Sequence, residues 1–434
     1  MPASNECANG SYSYVDEKQD VGEKLSDFLN LLPPQKALEK FLAAVSPYKE
    51  TELIATENAL GRVTSETLYA EHSLPAFPRT TVDGYVVRSK DTHGSSASMP
   101  GYLELIGEIL MGVDSNLEIL DGQCALIHTG GMVPKGADAA IMLEETQIAK
   151  DGEIEILKSV AVGENVINQG EDIETGNEIL AAGKIIRAAE IGALMAMGIK
   201  EVRVNAQLKI GIISSGDELI PPEQEISFGK IRDINSYTLS AQVSETGSIP
   251  IMYGIVPDDP KSLLESLERA ISECQMVIVT AGSSASARDH TANAINKLGS
   301  PGVIVHGINL RPGKPTILGI CSGIPIMGLP GNPVSAFVVA SIFLKPIIEK
   351  LLGIFEYSRK SSLIAKLSIN LASQSGREDW VPVRLIEKGN EILAEPIFGK
   401  SNLIFTLVQA NAMLRVEPEA NGLAAGAEVQ VFLL

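Results

Sequence analysis

Between Leu208 and Leu352 the chain reads LKIGIIS (208–214), SYTLSAQVSETG (236–247), IPIMYGIV (249–256), PKSLLESLERAISE (260–273), MVIVTAG (276–282), DHTANAINKLG (289–299), VIVHGI (303–308), PIMGL (325–329) and PVSAFVVASIFLKPIIEKLL (333–352). Short, continuous apolar runs alternate with stretches of helical spacing, two of which stop at Gly247 and Gly299. Apolar strands with no polar face, alternating with helices, specify a parallel sheet covered on both sides. The expected fold class is therefore α/β, with a central parallel-sheet domain over 206–354.

On either side the pattern changes. Downstream, WVPVRLI, EILAEPI, AMLRVEP and AEVQVFLL are short alternating runs with turns at Glu387-Lys388-Gly389-Asn390 and Ala420-Asn421-Gly422. They predict a small antiparallel sheet or β-barrel over 355–434. Upstream, PPQKALEKFLAAV carries Ala37, Leu38, Phe41, Leu42 and Val45 at helical spacing behind two prolines. The runs YLELIGEIL, CALIHTG, AAIMLEE and EIEILKSV then predict a β-rich unit over 73–163. AAEIGALMAMGIKEVRV returns to a helical pattern. Helical pieces at 26–72 and 164–205 flanking a β-rich insert suggest one domain split by another. The first residues, 1–25, read as a polar, disordered arm.

The chain has 434 residues and a net charge of −19, from 54 acidic and 35 basic side chains. That balance argues against nonspecific nucleic-acid binding, which needs a basic surface. No apolar run approaches the ~20 residues of a membrane span, and the N-terminus has no secretory pattern. The four cysteines, Cys7, Cys124, Cys274 and Cys321, form no C-x-x-C pair. This fits a reducing, cytoplasmic location. An acidic chain that binds an anion must do so through local backbone N–H groups, a few placed cations or a metal.

Ligands of open parallel sheets bind beyond the carboxyl ends of the strands. Three of those ends carry small, polar, glycine-bearing turns: Ser214-Ser215-Gly216-Asp217-Glu218, Thr280-Ala281-Gly282-Ser283-Ser284, and Pro330-Gly331-Asn332-Pro333-Val334-Ser335. Backbone N–H groups at such turns attract anions, although Gly216 and Gly331 also suit ordinary tight turns. Neither G-x-G-x-x-G nor a P-loop is present. Arg311 and Lys314, in Arg311-Pro312-Gly313-Lys314-Pro315, read either as a phosphate clamp or as a basic surface loop. Glu218, Asp258 and Asp289 lie after or near strand ends, where carboxylates suit a hard cation such as Mg²⁺. Asp259 before Pro260 reads as a helix N-cap, and Asp289 also precedes a helical pattern. In the β-rich unit, Asp83 (TTVDGY), Thr129 (HTGG) and Asp172 (GEDI) sit in turns that are equally readable as hairpin connections.

Eight segments, LPAFPRTTVDGYVVR, HTGGMVPKGADAAIMLEE, GEDIETGNEIL, AAEIGALMAMGIKEVRV, SSGDEL, IRDINSY, RPGKP and GLPGNPVSAF, resemble in order the molybdopterin molybdenumtransferase family. That family includes MoeA and the E domain of gephyrin. The resemblance implies four parts: a helical linker domain, an inserted β-rich domain, a central molybdopterin-binding α/β domain and a C-terminal β-barrel. It implies a homodimer whose active site lies between the central domain of one subunit and the inserted domain of the other. It also implies a reaction in which molybdenum from molybdate enters adenylated molybdopterin with Mg²⁺-dependent release of AMP. Upstream and downstream partners would be the molybdopterin adenylyltransferase and recipient molybdoenzymes.

Carried over by motif, Glu218, Asp258 and Asp289 hold the metal, and Arg311 and Lys314 bind the anionic phosphate or molybdate. Pro330 and Pro333 shape the turn at Gly331 and Asn332. Ser214, Gly216, Gly282 and Ser283 line the substrate, and Ser401 in GKSNL approaches from the C-terminal domain. Asp83, Thr129 and Asp172 serve the opposite side of the cleft. One loop departs from the family forms Gly-Gly-x-Ser-x-Gly-x-x-Asp and Gly-Ser-Ser-Ala-Gly-Ser-x-Asp. Here it reads Gly282-Ser283-Ser284-Ala285-Ser286-Ala287-Arg288-Asp289, with Ser286 replacing the inner glycine. A tungsten-inserting paralogue and a non-catalytic, gephyrin-like scaffold are the alternatives to a molybdenum transferase.

Overall fold

A computed structural model describes residues 31–114, 116–281, 285–354 and 361–434, and the side chains of all of these except 285–288. The arm expected over 1–25 lies outside them, as do Gly282 and Ser283. The chain divides into two compact units, one running from Thr51 to Val204, the other comprising the chain up to Glu50 and from Asn205 to Leu434.

In the second of these units, helix α1 (Pro34–Leu42) buries Ala37 and Phe41 among Leu208, Ile308 and Val305. This segment therefore packs with the central sheet rather than with the rest of the linker expected over 26–72. The apolar stripe read from the sequence is the reason, because Phe41 is fully buried there.

The Thr51–Val204 unit is built on a six-stranded sheet. Its strands are β1 (Gly84–Val87), β2 (Ser96–Ile109), β3 (Gln123–Ile127), β4 (Ala139–Met142), β5 (Thr146–Lys150) and β6 (Glu153–Lys158), in the order β4–β1–β3–β2–β6–β5. All pairs are antiparallel except β2 with β3. Strand β1 is buried on both faces. Tyr85 and Val87 point into one core with Leu103 and Ile141, and Val86 points into the other with Ile109 and Ile127. The stretch 164–205, expected to be helical, holds a single nine-residue helix, α2 (Ala188–Ala196). Gly198, at φ 75°, turns the chain out of it, and Val202 and Val204 then alternate inward as a strand, Glu201–Asn205, paired with Thr51–Ala55. The helical reading failed there because Glu201–Asn205 alternates exposed and buried residues with period two.

The larger unit holds the α/β sheet. Its strands are β7 (Lys209–Ser215), β8 (Ile249–Val256), β9 (Met276–Ala281), β10 (Pro301–His306), β11 (Ile317–Cys321) and β12 (Ile324–Pro330), ordered β8–β7–β9–β12–β11–β10. The first four are parallel, as expected, and β11 and β10 extend the sheet antiparallel. Residues of successive strands alternate between two cores. Ile210, Ile212, Met276 and Ile278 meet helices α3 (Asn235–Glu245) and α6 (Pro333–Leu351), through Leu239, Val243 and Phe343. Ile213, Val277 and Val279 meet α4 (Pro260–Glu273) and α5 (Ala285–Leu298), through Leu263, Leu267 and Ile295. Each such buried Leu or Ile is worth roughly 1.5–3 kcal/mol. Asp259 caps α4 as its position suggested, its carboxylate accepting the Ser262 N–H at 2.8 Å. No described helix is long and apolar enough to cross a membrane.

The C-terminal strands β13 (Ser362–Leu367), β14 (Glu378–Lys388), β15 (Glu391–Pro396), β16 (Ala412–Val416) and β17 (Glu428–Leu433) close into a five-stranded barrel, with β14 pairing both β15 and β16. Leu310 and Arg311 add a parallel two-residue pairing onto Glu378 and Asp379 at the start of β14. The barrel is thereby stitched to a loop of the α/β sheet.

Gly84 tests the packing of the smaller unit. A Cβ there would fall 1.8 Å from the Ile141 carbonyl oxygen, which belongs to the β1–β4 ladder and cannot withdraw without breaking it. Gly84→Ala is expected to destabilise the Thr51–Val204 unit by about 3 kcal/mol or more, read as a lowered urea midpoint. An unchanged midpoint would show that the ladder yields.

Candidate functional site

The carboxyl ends of the parallel strands are joined by buried hydroxyls. Ser214 Oγ, at the end of β7, lies 2.9 Å from Ser236 Oγ in α3 and 3.0 Å from Thr280 Oγ1 in β9. The loops beyond are tied as well. Ser215 Oγ donates to Asp258 Oδ1 at 2.7 Å, the Asp258 N–H donates to Asp217 Oδ1 at 3.2 Å, and the Gly216 N–H reaches Val256 O at 3.1 Å. Gly216 lies close to Glu218, since a Cβ on it would be 2.8 Å from Oε2 at the tip of that flexible side chain. Asp233, buried, accepts the Ser236 N–H at 3.1 Å, and Asn235 Nδ2 donates to Gly331 O at 2.8 Å. The start of α3 is thus pinned to the Pro330–Pro333 turn.

That turn is also pinned from the barrel side. Asn332 Nδ2 lies 3.1 Å from Ser401 Oγ, and the Val334 N–H donates to Ser401 O at 3.0 Å. Pro330 ends β12 beside Ala281, and Pro333 opens α6, where its missing N–H costs nothing. Ser401 and the Arg311–Pro315 loop border one cleft of about 900 Å³ between sheet and barrel. Its charged lining is Arg311, Lys314, Arg377, Lys400 and one carboxylate, Asp379. Gly313 (φ 121°) lets the loop close, because a Cβ would fall 2.4 Å from Val339 Cγ2. Sequence reasoning found Arg311, Lys314 and Ser401. It missed Arg377 and Asp379, which read only as the approach to a strand.

In the smaller unit Asp83 and Thr129 do meet. Asp83 Oδ1 accepts the Thr129 N–H at 2.7 Å and its hydroxyl at 3.1 Å. His128, next to Thr129, holds Glu108 Oε1 at 2.8 Å through Nε2 and lies 3.9 Å from Asp83 Oδ1 through Nδ1. The Thr129 backbone N–H, then its hydroxyl, then the nearby imidazole hold the Asp83 carboxyl below its ordinary range. Asp172 is exposed, and its N–H donates to Leu74 O at 3.0 Å.

Three family models tile the chain: the MoeA N-terminal region (domains I and II) over 32–198, a probable molybdopterin-binding domain over 211–350, and the MoeA C-terminal region (domain IV) over 365–434. A putative molybdopterin biosynthesis protein of Methanocaldococcus jannaschii is 33% identical over 93% of this chain and 98% of its own length. The molybdopterin molybdenumtransferase of a Nostoc species is 30% identical over 89% of each chain. The crystal structure of the MoeA molybdopterin biosynthesis protein of Pyrococcus horikoshii matches with a TM-score of 0.80 at 31% identity, over 93% of this chain and all of that one.

The chain belongs to the MoeA family.

MoeA-family relatives are transferases of molybdenum cofactor biosynthesis, and the resemblance read from the motifs leads to the same family. The three carboxylates expected to hold Mg²⁺ are not gathered into a ready-made cage. Among the described residues no three His, Cys, Asp or Glu side chains form a metal-holding group. Asp258 is tied into the strand-end loops, Glu218 is half-buried beside Gly216, and Asp289 is exposed. Asp289 lies within α5, which starts at Ala285, four residues before the helical pattern begins in the sequence. Two carboxylates on tied loops still suit Mg²⁺, which binds through one or two carboxylates and completes its shell with water and substrate phosphate.

The Asp83 pairing gives a pH prediction. A carboxyl whose pKa is depressed by folding contributes stability above its unfolded pKa, and that contribution is lost as pH falls through the folded value. Thr129→Val removes the hydroxyl and keeps the N–H. The Asp83 carboxyl, followed by carbon-13 NMR titration, is expected to move up and still stay below an unperturbed aspartate. An unmoved titration would remove the hydroxyl from the account.

Proposed function

We propose that this chain inserts molybdenum from molybdate into adenylated molybdopterin and releases AMP, working as a homodimer. The observation that carries this reading is the cleft, where four cations and one carboxylate converge in a protein of net charge −19. A volume of about 900 Å³ is within the usual range for small-molecule sites. In the reaction water cleaves the phosphoanhydride of the adenylated substrate and AMP departs, while the two thiol groups of the dithiolene displace one oxygen of molybdate as water, so that molybdenum stays on the sulfurs. Arg311 and Lys314 bind the anionic group, and Ser401 and Asn332 fix the wall of the cleft against it. The glycine-bearing turns supply N–H groups at the strand ends. Glu218, Asp258 and Asp289 are the residues that would hold Mg²⁺, which when bound supplies charge neutralisation at the leaving phosphate.

The reading is tested by mixing the protein with adenylated molybdopterin, Mg²⁺ and either molybdate or tungstate, and following AMP by chromatography. Molybdate-dependent release is expected. Preference for tungstate would point to the tungsten paralogue, release without any oxyanion to a hydrolase, and no release to a scaffold. Asp289→Asn is expected to slow release by about a hundredfold, the scale on which a lost electrostatic group acts at a reacting centre. Turnover at the parent rate would remove Asp289 from the site.

A further inference from the structure

Among the described residues that line the cleft Asp379 is the one acid, and its setting is unusual for a barrel residue. Its backbone is paired on one side with Arg311 and on the other with Val416. Its side chain is only 6% exposed. Oδ1 accepts from Arg377 Nε at 2.8 Å, Oδ2 from Ser373 Oγ at 2.9 Å, and Arg377 Nη2 closes a fork at 3.5 Å. On its open side Arg311 Nη1 lies 3.6 Å from Oδ2, although the Arg311 side chain is 62% exposed. One buried carboxylate therefore contacts a guanidinium from the α/β loop and another from the barrel.

Burying a carboxylate is costly, and a well-packed apolar side chain closes a barrel edge more cheaply. Val383 and Val416 do so in the same barrel. As a bare charge, moreover, Asp379 repels the anion that the cleft is read to bind. Its benefit must then be geometric. A forked carboxylate fixes the plane and direction of a guanidinium, which an isolated arginine loses to rotamer freedom.

We propose that Asp379 is a positioning residue, which holds Arg311 and Arg377 at a set spacing so that both guanidiniums act on one bound anion. This rests on the reading of the cleft as the anion site and adds to it the residue that organises its cations.

Sign decides the test. The full chain is titrated with molybdate by calorimetry, as parent and as Asp379→Asn, Arg311→Ala and the double variant. If Asp379 acts only as a charge, neutralising it tightens binding. If it positions the arginines, Asp379→Asn weakens binding about tenfold, the scale on which outer partners of a ligand-holding group act. The double variant is then expected to lose less than the two single losses combined, because Asp379 acts partly through Arg311 and partly through Arg377. Equal or tighter binding by Asp379→Asn with an unchanged melting temperature would overturn the proposal. Unchanged binding by Arg311→Ala would instead overturn the reading of the cleft on which it rests. Should Asp379→Asn fail to fold, Ser373→Ala keeps the charge and removes one donor from the carboxylate. It is expected to weaken binding about threefold, as one lost hydrogen bond does, and an unchanged affinity there would also overturn the proposal.

Discussion

A protein of net charge −19 that is to take an anionic substrate, as proposed for this chain, has to create locally the potential that its surface as a whole opposes. Distance makes this possible. At physiological salt, exposed charges are largely screened beyond ~8 Å, so acids scattered over the surface weigh little inside a cleft. Within 4 Å a single charge is worth about 1 kcal/mol in water and about 4 kcal/mol at the effective dielectric of a protein surface. A few cations held at contact distance thus outweigh a large remote excess of acid. The cost falls on structure, because cations gathered in one place repel each other and must be held. The Arg311–Pro315 loop, the barrel edge and Asp379 are where this chain meets that cost.

The parallel sheet supplies the fixed frame. Its strand ends are joined through Ser214, Ser236 and Thr280, three buried hydroxyls from three different elements. Buried hydroxyls without partners are costly, so this set favours one arrangement of β7, β9 and α3 over neighbouring ones. Asn235 passes that order to Gly331, and Asn332 passes it to Ser401 in the barrel. The turn at Pro330–Pro333 is consequently held from both sides, by Asn235 of α3 and by Ser401 of the barrel region. Rigid walls of this kind lower the ordering cost of binding, which is the usual route by which a polar site gains affinity.

Periodicity made most of the frame legible. Continuous apolar strands and glycine-ended helices gave the α/β sheet nearly element for element. The short alternating runs of the C-terminal part showed an antiparallel sheet or barrel, and the family resemblance chose the barrel. What escaped had little local signal. The β11–β12 hairpin turns on Ser322 (φ 50°) and Gly323 (φ 85°), a two-residue connection, and of its two strands only the second, at 325–329, was read from the sequence. The stretch Glu201–Asn205 follows a helix so closely that its period-two pattern was absorbed into it. In the candidate site, Arg311 and Lys314 were conspicuous as cations between prolines, whereas Ser401 came only from the family resemblance. Asp379 was invisible, because its meaning comes from a pairing of Arg311 with a residue 68 positions away, and no window along the chain contains both.

The same pairing explains why the barrel matters to the site at all. The backbone contact between Leu310–Arg311 and Glu378–Asp379 is two residues long, too short to be stable alone. It is supported by Asn309, which accepts the Glu378 N–H through its carbonyl at 3.2 Å and donates through its side chain to Gly376 O. Glu378 points away from Asp379 and is satisfied by Trp380 Nε1 at 2.6 Å and Arg415 Nη2 at 2.8 Å, with Trp380 packed against Phe432. The two adjacent acids therefore divide the work by strand alternation. Glu378 lies on the face that carries Trp380 into the core shared with helices α3 and α6, and Asp379 lies at the cleft end of the face that carries Val381 and Val383 into the barrel interior. A one-residue slip of β14 would exchange them and place the cleft's carboxylate in the wrong core. Register at the first two residues of this strand thus couples the stability of the barrel to the geometry of the arginines.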